Sequence, residues 1–344
     1  MNARPAILVT GGAGYIGSHC CRALDRAGYH PVTYDNFSTG HRSFVTGSLV
    51  SGDLRNHAVL ARAFAQHDIV AVMHFAASSL VGESVTDPRK YYTNNVLSTL
   101  SLLDAMRESG CNRLVFSSTG AVYGNADSKA LPESWPCAPI NPYGASKWMI
   151  ERILADYRGA YGLGSFALRY FNASGADAAG GIGELRDNET HLIPRAMMAL
   201  QGHVADFAVF GDDYGTPDGT AIRDYIHVTD LAAAHVLALK LLLQGHSGGV
   251  FNLGTGAGFS VREILGAIAA GTGRAVALGV KPRRAGDPTY LVADVTAART
   301  TLQFAPAHSD LATIVRTAWA WHQTAHPLKT DEPLKSGARF SPAA

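Results

Sequence analysis

The sequence predicts an α/β protein built on a doubly wound parallel sheet, with a smaller C-terminal α/β lobe. Two observations carry the prediction. Short apolar runs without alternation recur along the chain, as expected of strands buried on both faces. They alternate with stretches of helical periodicity, the order that builds parallel crossovers. The 36 glycines suit the many tight strand-to-helix turns such a sheet needs.

In chain order, Ala6-Ile7-Leu8-Val9-Thr10 is the first buried run. Gly11-x-x-Gly14-x-x-Gly17 follows and opens a helical pattern through Leu24. Glycines between a strand and a helix let the backbone turn tightly and approach a pyrophosphate seated on the helix N-terminus. The next strand, Pro31 to Tyr34, ends at Asp35, about 20 residues past the glycines. A carboxylate there bonds both ribose hydroxyls and repels a 2′-phosphate, which favours NAD over NADP. Together these mark a Rossmann-type dinucleotide site. Leu49 to Leu54 reads as a strand carrying Asp53, within reach of an adenine amine. Ile69 to Phe75 is buried and runs into the small residues Ala76, Ala77, Ser78 and Ser79, with His74 read as a packed core histidine. A helix is expected over Tyr91 to Ser109, carrying Asn94. Arg113 to Phe116 then ends in Ser117-Ser118-Thr119, hydroxyls at the strand end where open α/β sheets bind ligands.

Pro142 suits a first helical turn, and in that helix Tyr143 and Lys147 stand at i and i+4 on one face. A phenol with a pKa near ~10 is a poor base at neutral pH. A nearby ammonium favours the phenolate, so the pair suits proton transfer to and from a hydroxyl. Ordinary solvated faces show the same spacing. Beyond the strand Ser165 to Tyr170, Ala173 to Asn188 is aperiodic and reads as a substrate-side loop, followed by a short helix over Ile193 to Leu200. Arg223 to Val228 leads to a helix capped by Thr229 or Asp230, and Gly249 to Gly254 returns to the sheet. Ser260 and Glu263 form a capping box for a helix to about Ala270. Arg283-Arg284-Ala285-Gly286-Asp287 is a basic turn suited to a diphosphate. A last helix, Leu311 to Gln323, packs Trp319 or Trp321. The expected domains are 1–172, with returns near 222–258, for the dinucleotide, and 173–221 with 259–326 for the smaller lobe. A frayed tail over 327–344 completes the expected organisation.

The 344 residues are 47% hydrophobic, enough for one large core or two lobes. A net charge of +1 gives no reason to expect nucleic acid or an acidic membrane surface. Cys20, Cys21, Cys111 and Cys137 match no zinc spacing and are too few for a disulfide framework, so no metal and a reducing compartment are expected. Neither a signal peptide nor a membrane-spanning run is evident, and a soluble cytoplasmic protein is expected.

The glycine frame, Asp35, Ser118-Thr119 and Tyr143-x-x-x-Lys147 together resemble the extended short-chain dehydrogenase/reductase superfamily. Further blocks are similar to its UDP-glucose (UDP-galactose) 4-epimerases: Gly14 to His19, Val81 to Ser84, Asn141 to Gly144, Arg169 to Asn172, Arg223 to Val228 and Arg283 to Asp287. The resemblance runs from about Ile7 to His326. It implies reversible, NAD-dependent 4-epimerisation of UDP-galactose and UDP-glucose through a transient 4-keto sugar, in a homodimer that keeps its NAD. Tyr143 would be the base and acid, Lys147 would lower its pKa and bond the nicotinamide ribose, and Thr119 would bond the sugar O4. Tyr15, Ile16, Asp35, Asn36, Asp53, Leu54, Phe75, Ala76, Ala77, Asn94 and Phe171 match NAD-contact positions. Ser117 is counted with them, as is Ser79, which stands where some members carry Lys. Asn172, His191, Leu192, Phe207, Phe210, Arg223, Tyr225, Arg284 and Asp287 match positions that hold UDP. Leu291 falls where residue size decides whether an N-acetyl group enters. A 4,6-dehydratase is disfavoured because Gly120-Ala121, not an acidic pair, follow Thr119. A UDP-pentose or UDP-N-acetylhexosamine 4-epimerase remains an alternative, and an intact Tyr/Lys pair argues against a non-catalytic NAD sensor.

Overall fold

Alternate residues of the first strand feed two different cores. Ile7 and Val9 pack with Cys20, Cys21 and Leu24 of the helix Tyr15–Arg26 and with Leu231 and Leu239 of the helix Val228–Leu243. Leu8 faces the other way, toward Leu60, Leu102, Ile150 and Leu154. All three strand residues are fully buried, and each contributes roughly 1.5–3 kcal/mol of hydrophobic stabilisation. The computed structural model describes residues 4–284 and 287–327. Ala285, Gly286 and the expected tail beyond Pro327 lie outside the described residues.

The main sheet has seven parallel strands in the order Gly248–Leu253, Gly164–Tyr170, Arg113–Thr119, Ile69–His74, Ala6–Thr10, His30–Asp35 and Ser48–Ser51. The chain order reverses on either side of Ala6–Thr10, so the switch-point crevice opens at its carboxyl end. This is the doubly wound sheet expected. A second sheet joins Gly258–Ser260, Ile222–His227, Tyr290–Ala293 and Ser128–Leu131, with Asn172–Ser174 also paired to Ile222–His227. Ala208–Phe210 and Gly279–Lys281 form a two-stranded piece. A third core lies beneath these, built on Ile193, Met197, Ile264, Ile268, Ile314 and Val315.

Local chemistry corrects three expectations. The strand expected over Leu49 to Leu54 stops at Ser51. There Gly52 N–H donates to the Asp35 carbonyl (3.0 Å) and the Asp53 carboxylate accepts Arg55 N–H (2.9 Å), turning the chain away. The helix Val228–Leu243 is capped by His227, whose Nδ1 accepts from Thr229 N–H at 3.1 Å, and not by Thr229 or Asp230. Asp230 is instead drawn to Ala307 N–H (3.0 Å), His308 N–H (2.8 Å) and the Ser309 hydroxyl (2.6 Å). The helix expected over Tyr91 to Ser109 begins at Pro88 and widens into a π-turn over Tyr92–Leu97. Such turns often serve functional sites. Here it buries Asn95, whose Oδ1 accepts Ser78 N–H (2.8 Å) and whose Nδ2 donates to the Ser146 hydroxyl (2.9 Å).

Candidate active site

The helix Pro142–Tyr161 starts where the sequence places it. Asn141 caps it by accepting Gly144 N–H at 2.8 Å, and Pro142 fills the first turn. Gly144 has no side chain for a packing reason, since a Cβ there would lie 2.6 Å from the Ala121 carbonyl oxygen. This closeness sets Tyr143 against the end of the strand Arg113–Thr119. Thr119, whose hydroxyl accepts Ala121 N–H at 3.1 Å, acts on the Tyr143 phenol and favours its ionised form. Tyr91 approaches the Tyr143 ring edge-on at 6.4 Å between centroids. Lys147, one turn on, is 3% exposed, donates to the Ser117 carbonyl at 2.8 Å and sits over the Phe116 ring. Burial brings the Lys147 amine down to about 7, with Glu151 acting in the opposite direction.

The Tyr143 phenol is raised by burial, while the Thr119 hydroxyl and the Arg186 guanidinium act to lower it. The sequence assigns that electrostatic effect to Lys147, and Arg186 is a further cation acting in the same direction. Arg186 comes from the aperiodic stretch after Ala173, where no pattern singles it out.

Glu151, one turn beyond Lys147, was also missed. It accepts from Ser118 and pairs with the buried Arg169, whose Nε lies 3.0 Å from Oε1. Arg169 also donates to the Tyr123 hydroxyl at 2.9 Å. Helix and strand are thereby tied together directly below the Tyr143–Thr119 pair.

The residues expected to hold NAD collect at the switch point. Gly11 has φ 70°, and a Cβ on it would lie 2.7 Å from Ala76 N. A Cβ on Gly17 would lie 2.2 Å from the Gly11 oxygen, whereas at Gly14 the nearest obstacle is that oxygen at 3.3 Å. Gly14 is the N-cap of Tyr15–Arg26 and supplies no side-chain cap, so N–H groups of the first turn have no side-chain acceptor. This open, donor-rich turn fits a pyrophosphate. Asp35 accepts Ala13 N–H (3.0 Å) and Phe37 N–H (2.8 Å) at its strand end. Asn36 donates to Asp53 at 3.4 Å, and Asp53 is itself paired with Arg55 at 2.7 Å. Leu54 and Ile16 contribute to the cores on either face. Phe75 N–H donates to the Thr10 carbonyl at 2.9 Å, which carries the chain into Ala76 and Ala77. Asn94 donates to Ser78 at 3.0 Å, Ser117 bonds Tyr170, and Phe171 stacks on Tyr123. His74 is a core histidine as expected, held between Thr10 (2.6 Å) and Thr99 (2.8 Å).

A cleft next to this site is lined by Asn172, His191, Leu192, Arg223, Tyr225, Arg284 and Asp287, all expected to hold UDP. It is also lined by Glu184, Trp321 and His322, which the sequence reading did not single out. Asp224 fixes the strand between the two polar residues that flank it. Its carboxylate accepts Thr255 N–H (2.9 Å), Gly256 N–H (3.1 Å) and Ala293 N–H (3.2 Å). Arg223 pairs with Asp287, and Arg284 lies over the Phe210 ring at 4.1 Å. His191 is bracketed by Glu184 (3.0 Å) and Glu189 (2.8 Å), and these carboxylates raise its pKa against the opposing effect of burial. The Phe207 side chain is buried in the core with Ile193 and Ala196 and does not line the cleft. Leu291 packs with Val122, Tyr123 and Leu131, beside Phe171.

Residues 7–254 match the family described as NAD dependent epimerase/dehydratase. The chain is 52% identical over 317 residues to a UDP-glucose 4-epimerase of Rhizobium meliloti (strain 1021), covering 92% of this chain and 96% of that one. Among solved structures it is similar to UDP-glucose 4-epimerase from Brucella ovis in complex with NAD, at 54% identity and a TM-score of 0.90, over 92% of this chain and 98% of that one. It is also similar to UDP-glucose-4-epimerase from Stenotrophomonas maltophila with bound NAD and formylated UDP-arabinopyranose, at 39% identity and a TM-score of 0.91, over 93% and 98% of the two chains. With this site, this sheet and these likenesses, the chain belongs to the NAD dependent epimerase/dehydratase family.

Proposed function

We propose that this enzyme is an NAD-dependent isomerase that interconverts UDP-galactose and UDP-glucose by inverting C4. The observation that carries the reading is the position of Tyr143. Tyr143 heads a helix packed at the end of the strand Arg113–Thr119, in the sheet whose switch point carries the glycine turn, and the same chain forms a cleft lined by Arg223 and Arg284. The relatives named UDP-glucose 4-epimerase agree with that arrangement.

Bound NAD supplies a reversible hydride acceptor, the one capability the side chains lack. Gly11, Gly14 and Gly17 would hold its pyrophosphate, Asp35 its adenosine ribose, and Lys147 its nicotinamide ribose. Tyr143 as phenolate takes the proton of the sugar O4 as the C4 hydride leaves, giving a 4-keto sugar. Thr119 orients that oxygen. Arg223 and Arg284 hold the diphosphate while the hexose turns to present its other face. Hydride then returns to C4, and Tyr143 gives the proton back to O4. Net redox change is zero, so the same dinucleotide serves every turnover. Residues 1–172, with returns near 222–258, form the NAD-binding part of this reading, and 173–221 with 259–326 the UDP-sugar part.

The enzyme works as a cytoplasmic homodimer in this reading. Val81, Val85, Leu97 and Met149, exposed on the helices of the NAD-binding part, support such an interface. Among the described residues no helix is long and apolar enough to cross a membrane.

Purified enzyme assayed on UDP-galactose, UDP-GalNAc and UDP-arabinose, without added cofactor, tests the substrate assignment. Turnover fastest on UDP-galactose supports it. Faster turnover of the pentose or of the N-acetyl sugar, whose entry would depend on Leu291, replaces it.

A further inference from the structure

We infer that Gly175 to Arg186 is a further part of the dinucleotide site, a strap laid across the switch-point crevice that retains NAD and must lift before NAD leaves. The strap acts on the dinucleotide alone, whichever UDP-sugar is turned over.

Sheet topology places it. Ile69–His74, Ala6–Thr10 and His30–Asp35 are neighbours in the main sheet, and the switch-point crevice opens between the first two. Each strand runs at its carboxyl end into one of the segments expected to line the dinucleotide. These are Ala76 to Ser79, the glycine turn with Tyr15, and the loop after Asp35. The strap is bonded to all of them. The Tyr15 hydroxyl donates to the Gly175 carbonyl at 2.7 Å. His41, from the loop after Asp35, bonds the Leu185 carbonyl at 3.1 Å, and its own N–H donates to the Ala13 carbonyl of the glycine turn at 2.9 Å. Arg186 Nη1 donates to the Ser79 hydroxyl at 3.4 Å. Tyr15 and His41 follow strands on one side of the switch point, and Ser79 follows the strand on the other. The bonded chain therefore bridges the crevice. Two strand spacings are roughly 10 Å, a distance that a few extended residues cover.

Asp177 is the central fastening. Its buried carboxylate accepts Ala179 N–H (2.9 Å) and its carbonyl accepts Gly180 N–H (2.8 Å), closing a turn in which Gly180 and Gly181 have φ of 81° and 80°. The same carboxylate takes Arg22 (3.1 Å) and Arg26 (3.3 Å) from the helix Tyr15–Arg26, and Arg22 also donates to the Gly180 carbonyl at 2.7 Å. At the far end Glu184 aims Arg186, accepting its Nε–H at 2.9 Å. Trp321 supports that end. It donates to the Glu184 carbonyl at 2.7 Å, and its ring fills the space at Gly183, where a Cβ would lie 2.4 Å away. It also meets Phe44, beyond the loop after Asp35, at 5.6 Å between ring centroids. Gly175 and Glu184 line the cleft expected to hold UDP, so the strap borders both sites.

The test measures NAD release from wild-type holoenzyme, Asp177→Asn and Arg22→Met, by timed ultrafiltration into NAD-free buffer. UDP-galactose turnover is assayed alongside, before and after NAD is added back. Asn keeps an acceptor for Ala179 N–H and removes the charge. Met at the partly exposed Arg22 loosens the same fastening from the helix, leaving the strap's own sequence intact and guarding against a folding defect in the first variant. Neither residue belongs to the expected cofactor or substrate contacts. The expected result is NAD release about tenfold faster in both variants, as for loss of one charge-assisted bond. Activity declines in step with the released NAD, and added NAD restores it to the wild-type level. Release at the wild-type rate in both variants overturns the inference. So does a loss of activity that added NAD does not restore, because the bonds would then hold only the fold. A wild-type enzyme that retains NAD without turning over UDP-galactose overturns the sugar assignment, and the release rates still decide the strap.

Discussion

Glu151 and Arg169 form a buried ion pair beneath the catalytic helix, each side chain about 5% exposed. The perturbation is Glu151→Leu, Arg169→Met and the double substitution. In the Leu variant the guanidinium loses its carboxylate and keeps only Tyr123, the Glu133 carbonyl (3.4 Å) and Cys137 Sγ (3.3 Å). An unpaired buried charge costs about 3–5 kcal/mol. At ~2.1 cal/mol/K of unfolding entropy per residue, 344 residues give about 0.7 kcal/mol/K, so Tm falls by about 4–7 °C. The double variant leaves no buried charge and loses less than the two singles summed. It does not regain wild type, because Ser118 and Tyr123 lose partners as well. Urea unfolding of all four proteins at one saturating NAD concentration measures the cycle and holds the ligand contribution constant. A coupling of at least ~2 kcal/mol is expected. Singles that cost under ~1 kcal/mol, or a double equal to their sum, would refute the reasoning.

Further predictions concern the rest of the site. Lys147 has a folded pKa of about 7 against an ordinary 10.5, so the folded state binds its proton less tightly than the unfolded state. The stability associated with this lysine is complete above 10.5 and is lost as pH falls toward 7, a difference of about 5 kcal/mol. Relative to Lys147→Met, wild type should therefore gain stability steadily between pH 7 and 10 in denaturant titrations; a constant difference contradicts it. Gly17→Ala places a Cβ 2.2 Å from a backbone oxygen, and the glycine turn should shift at a cost of about 1–3 kcal/mol. Its readout is less NAD retained through gel filtration. Arg223→Met should weaken UDP binding by about 10- to 100-fold, measured by calorimetry, as expected for loss of a charge-assisted bond worth ~1.5–3 kcal/mol.

What the sequence made legible was local. Glycines at 11, 14 and 17, an acid at 35, and Asn141-Pro142 before Tyr143 each act through neighbours a few residues away, so their spacing carries their geometry. What stayed hidden was assembled over distance. Arg186 meets Ser79 across 107 residues, and Trp321 holds Glu184 across 137. No periodicity records such contacts. Asn95 stood beside the expected Asn94, but only the π-turn shows that it clamps Ser78 to Ser146. His227 displaced the expected caps because Asp230 had stronger partners near residue 308, again far off in sequence. Ser128–Leu131 pairs with Tyr290–Ala293 in the second sheet, although it belongs to the first half of the chain.

The central claim is that Tyr143 carries one proton to and from the sugar O4 while the dinucleotide stays bound. Turnover of UDP-galactose by Tyr143→Phe, measured together with the NAD content of the same preparation, tests it most directly. The account predicts a fall of about 10²- to 10⁴-fold, the usual worth of a general acid–base group, with NAD content unchanged. Near-wild-type turnover in a fully NAD-loaded Phe variant would contradict it.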